Sequence, residues 1–385
     1  PYLSVTVPEG SCINQISGCE FIDINENLDY FIILQQEVWF ADNYFQSGRS
    51  PIIMNYSGSL TIRNCTFNNV TGNSGNQANI FYCNENFLIS VVFDSCQFIN
   101  CGKDNNNNKF LINIANVEST VKLYDCIFRS DVQDHADSLN TNCLNLIIDN
   151  CSFIKTGEIY INQNSPQSTN SEISICRSVF DSCMSTNDNN GNPAYVIYIN
   201  ANQQTSFLFD ANEIKNIQGS NSNTCIMRIN LNRLFNNNIV KSVNITNCLF
   251  SDNTCYSFYG GGSGIQIRNT ESLSFYNCSF IGNNAKQNSN PRVTSNDNSK
   301  GLFNTTEPYY NGDGGGIQIG FGCTMIKVAV VIEKCKFRNN KAQRHGGALA
   351  IQTLSTVQIF NCTFESNKAN LKHASSSRLL FDIVF

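Results

Sequence analysis

CKFRNNKAQRHGGALAIQ, residues 335–352, sets a cysteine two places before a phenylalanine and an asparagine three places after it. A glycine pair then opens an alternating apolar run. The order is too regular for an active-site loop, and the chain repeats it. Aligned on C-x-F, it recurs as LTIRNCTF from Leu60, VVFDSCQF from Val91, VKLYDCIF from Val121 and LIIDNCSF from Leu146. Further on come VNITNCLF from Val243, LSFYNCSF from Leu273, VVIEKCKF ending at Phe337 and VQIFNCTF from Val357. Apolar residues stand five and three places before each cysteine.

The aliphatic spacing also finds members without the cysteine: VWFADNYF from Val38, ISICRSVF from Ile173 and FLFDANEI from Phe207. QISGCEF near the start fits with one polar position, and the terminal LFDIVF fits loosely. One slot is then Phe21, Phe45, Phe67, Phe98, Phe128, Phe153, Phe180, Ile214, Phe250, Phe280, Phe337, Phe364 and Phe385. Period-two alternation marks each segment as a strand, and the three-residue step before the cysteine marks a bend between two strands. A lone strand per rung cannot bury its apolar face, whereas stacked rungs can. The expectation is an all-β, right-handed parallel β-helix of about 12–13 coils, with roughly three short strands per coil. It forms one domain over 1–385, with a long polar loop at about 285–313. Shorter loops are expected at GKDNNNNK from Gly102 and STNDNNGNP from Ser185. The phenylalanines form an interior ladder, so function falls to outer faces and loops.

The chain has 385 residues, 41% hydrophobic and 14% charged, with a net charge of −5 and about sixty asparagines. Such a charge-poor, mildly acidic surface argues against nucleic acid, which needs clustered Lys and Arg. No apolar run reaches the length of a membrane span. Eighteen cysteines without a C-x-x-C pair point to an oxidising compartment rather than to zinc or thioredoxin-like chemistry. Asn55, Asn64, Asn69, Asn150, Asn244, Asn277, Asn304 and Asn361 satisfy N-x-[ST]. No basic and apolar leader follows Pro1, so a signal peptide, if one existed, has been removed or lies outside this sequence.

The glycine runs carry a resemblance. Phe337-x-x-Asn340 precedes Gly346-Gly347-Ala348-Leu349; Phe250-x-x-Asn253 precedes GGGSGIQI at Gly260, and Phe280-x-x-Asn283 precedes GGGIQI at Gly314. A P-loop is excluded, because no GK[ST] follows. The pairing resembles the F-x-x-N and G-G-A-[ILV] repeats of the chlamydial polymorphic outer membrane proteins, and right-handed β-helix surface proteins of protists. The resemblance implies a pectin-lyase-like β-helix with exposed, often adhesive roles. Asn340, Gly346 and Gly347 would then be repeat-turn residues. The abundant Asn, sequons and cysteines favour a secreted protein of an A+T-rich eukaryote.

Candidate chemistry is sparse. The in-register cysteines, from Cys19 to Cys362, read as buried space-fillers. Off-register Cys83, Cys101, Cys143, Cys183, Cys225, Cys255 and Cys323 are better placed for disulfides at the turns. The asparagine before the cysteine (Asn64, Asn150, Asn247, Asn277, Asn361) suits either a stacked amide ladder or, where the sequon is complete, a glycan. The ladder is preferred there, with glycans first at Asn69 and Asn304. Asp94, Asp125, Asp149 and Asp210 fall near the bend, and Asp131, Asp134, His135 and Asp137 sit in one loop. All read as solvated turn acids, and His345 as a turn residue. The expected function is a non-enzymatic extracellular surface glycoprotein: a rigid rod for adhesion, or for assembly into a coat or filament. Its partners would be other subunits or surface glycans; nothing after Phe385 caps the stack, so either the chain continues beyond this segment or it docks end-on with another copy. No catalytic residue, metal or cofactor is assigned. The alternative is a carbohydrate-active enzyme, lyase or hydrolase, using Asp125 and Asp149, or a carbohydrate-binding module on the same fold.

Overall fold

β-Branched and aromatic residues alternating with polar ones give strands with one wet face and one dry one. A computed structural model describes residues 14–22, 32–34, 38–47, 52–54, 58–71, 80–83, 89–102, 110–115, 118–131, 137–162, 171–183, 194–201, 205–219, 224–231, 242–256, 265–268, 272–286, 314–319, 329–343, 346–351 and 356–370. All of their regular structure is strand. Two twelve-stranded sheets run the length of the molecule. The first goes from Asn14–Ser17 to Thr356–Phe360, the second from Glu20–Ile22 to Thr363–Glu365. A third, nine-stranded sheet goes from Ile32–Leu34 to Ile265–Arg268. Every pairing is parallel and each rung stacks on the last, which makes a right-handed parallel β-helix. Twelve rungs at about 4.8 Å give a rod roughly 50–60 Å long.

Register follows the apolar columns. Phe21, Phe45, Phe67, Phe98, Phe128, Phe153 and Phe180 are direct partners in successive strands, as are Phe250, Phe280, Phe337 and Phe364. Their rings stack with centroids 4.4 to 5.2 Å apart and planes within 11°. Ile214 interrupts the ladder. There Phe209 leans in from the first sheet, 6.5 Å from Phe180 and 6.3 Å from Phe250. One continuous buried cluster, from Ile16 to Leu349, fills the inside. LFDIVF, with Phe385, lies outside the described residues.

Roughly three strands per coil describes the stack, and each of the last four rungs adds a short strand of its own. There F-x-x-N leads into an additional short strand: Thr254–Tyr256, Asn284–Lys286, Lys341–Ala342 and Lys368–Ala369 pair as a fourth sheet. The loop expected at about 285–313 therefore starts later, since residues 285 and 286 are strand; residues 287–313 lie outside the described set, as do most of the two shorter loops. The glycine pair has two distinct jobs. Gly346 takes φ +62°, a left-handed turn that suits glycine. Gly347 lies so close to the next rung that a Cβ there would meet the Lys368 backbone at 2.6 Å. Gly315 meets Lys341 the same way, at 2.7 Å. The glycine turn of one rung thus packs on the F-x-x-N corner of the rung above.

Candidate functional site

Each three-residue strand of the second sheet is held between two corners. At the first, the residue three before the phenylalanine is left-handed in every rung: Gly18, Asp42, Asn64, Ser95, Asp125, Asn150, Arg177, Ala211, Asn247, Asn277, Lys334 and Asn361. That conformation turns its side chain out and the next one in. The next residue is cysteine in nine rungs, asparagine at Asn43 and Asn212, and serine at Ser178. These residue types share a hydrogen-bond donor. Cys96 donates to Ile62 O at 3.3 Å, Cys248 to Phe209 O at 3.4 Å and Asn212 Nδ2 to Ile175 O at 2.7 Å. As cysteine or asparagine the slot satisfies a strand-end carbonyl of the preceding rung, which would otherwise be stranded in a dry interior, whereas Ser178 Oγ donates to Cys176 O of its own rung at 2.8 Å.

The second corner repeats the device. Ser47, Asn69, Asn100, Lys155, Ser182, Asn216, Asp252, Gly282, Asn339 and Ser366 are left-handed. The following side chain turns in. Cys101 donates to Phe67 O at 3.4 Å and Cys183 to Phe153 O at 3.2 Å. From the ninth rung asparagine takes this place. Asn253, Asn283, Asn340 and Asn367 donate from Nδ2 to the carbonyls of Ile214, Phe250, Phe280 and Phe337 at 2.8 to 3.0 Å. Each Oδ1 accepts the backbone N–H of the rung below, as from Asn283 N to Asn340 at 3.1 Å. This is a buried amide ladder, and it is the physical content of F-x-x-N. Asn340 is an interior ladder residue as well as a turn residue.

Two expectations are corrected here. The asparagines before the cysteine do not make a continuous ladder: they are exposed, and their bonds join two neighbouring rungs at Asn64 and Asn150 and three at Asp210–Asn247–Asn277. Asn64 donates to Asp42 at 2.7 Å, Asn277 to Asn247 at 2.8 Å, and Asn150 to Asp125. Of the turn cysteines, Cys83, Cys101, Cys143, Cys183 and Cys255 are in no disulfide. All fifteen cysteines with placed side chains are thiols, and Cys225 and Cys323 lie outside that set. Burial pushes the Cys101 and Cys143 thiols up to about 12 and Cys183 to about 11. In the consecutive run Cys65–Cys96–Cys126, Cys96 alone is held low, by hydrogen bonds from Cys126 and then Cys65. Cys126 is raised by its bonds to Cys151 and Cys96.

The acids of the first corner all have partners. Arg63 Nε stands 3.2 Å from Asp94, and Arg177 clamps Asp149 with Nε at 2.8 Å and Nη2 on the other oxygen. Asp125 accepts from Asn150; Asp210 accepts from Thr246 and, at 2.8 Å, from Asn247. Asp131 pairs with Arg129 at 3.1 Å and Lys155 at 3.8 Å. Asp137 departs from the solvated reading. It is fully buried at the start of strand Asp137–Thr141 and accepts Glu158 N at 2.7 Å. Gly157 makes room for it, since a Cβ there would fall 2.1 Å from its Oδ1. Asp134, His135 and His345 lie outside the described residues. Among those described, no group of three or more His, Cys, Asp or Glu can hold a metal ion, and no helix is long and apolar enough to cross a membrane.

Of the sequons, Asn64, Asn69, Asn150, Asn277 and Asn361 are exposed. Asn244 is half-buried, its Nδ2 3.4 Å from Ser242 Oγ. Asn55 and Asn304 are outside the described set. Sequence reasoning missed one outer feature, a row on the third sheet. Tyr160 and Tyr198 stack at 4.9 Å, and beside them Asn140 donates to Asn113 at 2.9 Å and Asn200 to Asn162 at 2.8 Å. The I-Y-I-N repeat at residues 159–162 and 197–200 was its signal. No family model matches the chain, and neither a curated protein nor a solved structure shows significant similarity to it.

Proposed function

We propose that the chain is a non-enzymatic structural protein of the cell exterior, a stiff glycosylated rod that presents its outer faces for adhesion or lateral assembly. The observation that carries this reading is the use made of polar groups. Donors at both corners go to rung-to-rung carbonyls, and the acids offered for catalysis, Asp94, Asp125, Asp149 and Asp210, are held by arginines, amides or a hydroxyl. A general acid or nucleophile needs an uncommitted carboxyl facing substrate, with a second one spaced from it. The localisation rests on the sequons. The test has two arms: antibody labelling of intact, unpermeabilised source cells, and a polysaccharide-cleavage screen with the purified chain. Surface labelling without cleavage is expected. Cleavage that disappears in Asp125→Asn or Asp149→Asn overturns the non-enzymatic reading.

A second reading, carbohydrate binding, draws on the Tyr160–Tyr198 row with its flanking amides. The two rings lie within 7° of parallel and cover each other. They present edges and hydroxyls rather than the open face on which a sugar stacks, which ranks this reading second.

A further inference from the structure

Four of the eight sequons have the form N-C-[ST]: Asn64, Asn150, Asn277 and Asn361. The structure brings all four to one line, the left-handed corner between the first and second sheets, where each is exposed. The fold alone explains why asparagine stands there, because it tolerates positive φ better than most residues. The fold also explains the cysteine after it, which fills the inward donor slot. It does not explain the hydroxyl.

That hydroxyl position is the first residue of each second-sheet strand: Glu20, Tyr44, Thr66, Gln97, Ile127, Ser152, Val179, Glu213, Leu249, Ser279, Lys336 and Thr363. Charged, aromatic, aliphatic and amide side chains are all accepted, so the pleat makes no demand for Ser or Thr. Yet Ser or Thr occurs in four rungs, and each of the four has asparagine at the corner. Asparagine holds only five of the twelve corners. Independent placement would bring the two together in one or two rungs. Among the described residues no contact couples them: the corner amides of Asn64, Asn150 and Asn277 donate to the neighbouring rung instead. What couples an asparagine to a hydroxyl two residues on is an enzyme that reads the unfolded tripeptide.

We propose that this corner is the glycan-bearing edge of the rod, with N-linked oligosaccharide on Asn64, Asn150, Asn277 and Asn361. The inference rests on the glycoprotein reading above and adds where the sugar stands. In the reaction the side-chain Nδ2 displaces the phosphate of an activated, phosphate-linked oligosaccharide donor from its anomeric carbon. A C–N bond forms, and the C–O bond to phosphate breaks with its electron pair leaving on the phosphate. One amide proton passes to the transferase. The second amide proton remains, so a modified Asn64 still donates to Asp42. The four rungs are never adjacent: they are three, four and two apart along the stack. At about 4.8 Å per rung the nearest pair stands roughly 10 Å apart, room for bulky substituents side by side. In the three-sided part of the rod this edge lies opposite the third sheet. The sugar therefore leaves the Tyr160–Tyr198 face bare for contact.

The test is to pass the full chain, behind a cleavable leader, through the secretory pathway of a eukaryotic host. Glycans are then removed with an amidase in heavy-oxygen water, which leaves labelled aspartate at each occupied position, and the peptides are mapped by mass. Label on three or all four of the corner asparagines is expected. Thr66→Val and Ser279→Ala should each delete one glycan while leaving the corner asparagine and the fold in place. Label on two or fewer overturns the edge. In that case the glycoprotein reading stands if another sequon such as Asn69 carries label, and both fall if no asparagine does.

Discussion

Asn340→Leu tests the interior amide ladder. Asn340 is fully buried and sits between Asn283 and Asn367. Its Nδ2 donates to Phe280 O at 2.8 Å and to Asn367 Oδ1 at 2.9 Å; its Oδ1 accepts from Asn283 N at 3.1 Å and Asn283 Nδ2 at 3.0 Å. Leucine is near in size and fills the space without making these bonds. Two backbone groups, the Phe280 carbonyl and the Asn283 amide, are left unpaired away from water at about 1–3 kcal/mol each, so the loss is about 2–6 kcal/mol. Asn340→Cys restores a donor to Phe280 O, as Cys101 and Cys183 do at this corner, but no acceptor; about half the loss is expected. In a repeat stack such damage stays near its own rungs. The assay is therefore hydrogen exchange resolved by peptide, alongside urea unfolding followed by circular dichroism. Peptides covering Ser279–Ile281 and Lys336–Arg338 should exchange faster in the leucine variant, with Thr66–Asn68 unchanged. A leucine variant matching wild type within about 0.5 kcal/mol, with undisturbed protection, would refute the claim that these amides hold the stack together.

Four further outcomes follow from particular contacts. Phe128→Ala opens a hole in the ladder between rings 4.4 and 4.7 Å away, and urea unfolding should show a loss of about 3–5 kcal/mol. Ile214→Phe completes the column on paper, yet Phe209 already fills that space; chemical denaturation should register a loss of about 1–3 kcal/mol, eased when Phe209→Val is added. Gly347→Ala drives a methyl into the Lys368 backbone, and exchange should accelerate over Lys368–Ala369. Cys101, Cys143 and Cys183 hold their protons more tightly folded than unfolded, from 9.0 up to between about 11 and 12. The folded state binds more protons in that window, so their contribution is whole below pH 9 and lost as pH rises toward 12. Unfolding midpoints should fall across that range, and Cys101→Ser should flatten the fall.

The fold was legible because it is written in spacing. An aliphatic–aromatic column every twenty to sixty residues fixes strand, bend and stack together, and Phe67, Phe98 and Phe128 land on one another as the spacing requires. What stayed hidden depends on which way a corner side chain points. Asn64 and Asn340 look alike in sequence, but one sits on the left-handed residue and faces water, whereas the other follows such a residue and faces the core. Asp137 read as a loop acid because nothing local reveals that Gly157, from the next rung, vacates a cavity for it. Phe209 likewise supplies a missing ring from another sheet, a substitution no one-dimensional column can show.

The cysteines show how a corner slot changes a compositional argument. Many cysteines ordinarily signal disulfides and hence an oxidising compartment. Here cysteine, asparagine and serine exchange places at the first corner, and cysteine, asparagine and threonine at the second, where Thr156 lies 3.7 Å from Cys183 and Val70 and Ile217 fill the slot without a donor. Among the polar residues the shared demand is a small inward donor for a strand-end carbonyl. Cysteine meets it with a weak S–H bond at 3.2 to 3.9 Å and little polarity to bury. The two corners account for eleven of the eighteen cysteines, nine at the first and Cys101 and Cys183 at the second, so most of the count follows from the stack rather than from a compartment. The weight of the extracellular reading passes to the sequons, and among them to the four whose hydroxyl the fold does not require. If those four asparagines are bare on secreted chain, neither cysteine count nor fold would place this rod outside the cell.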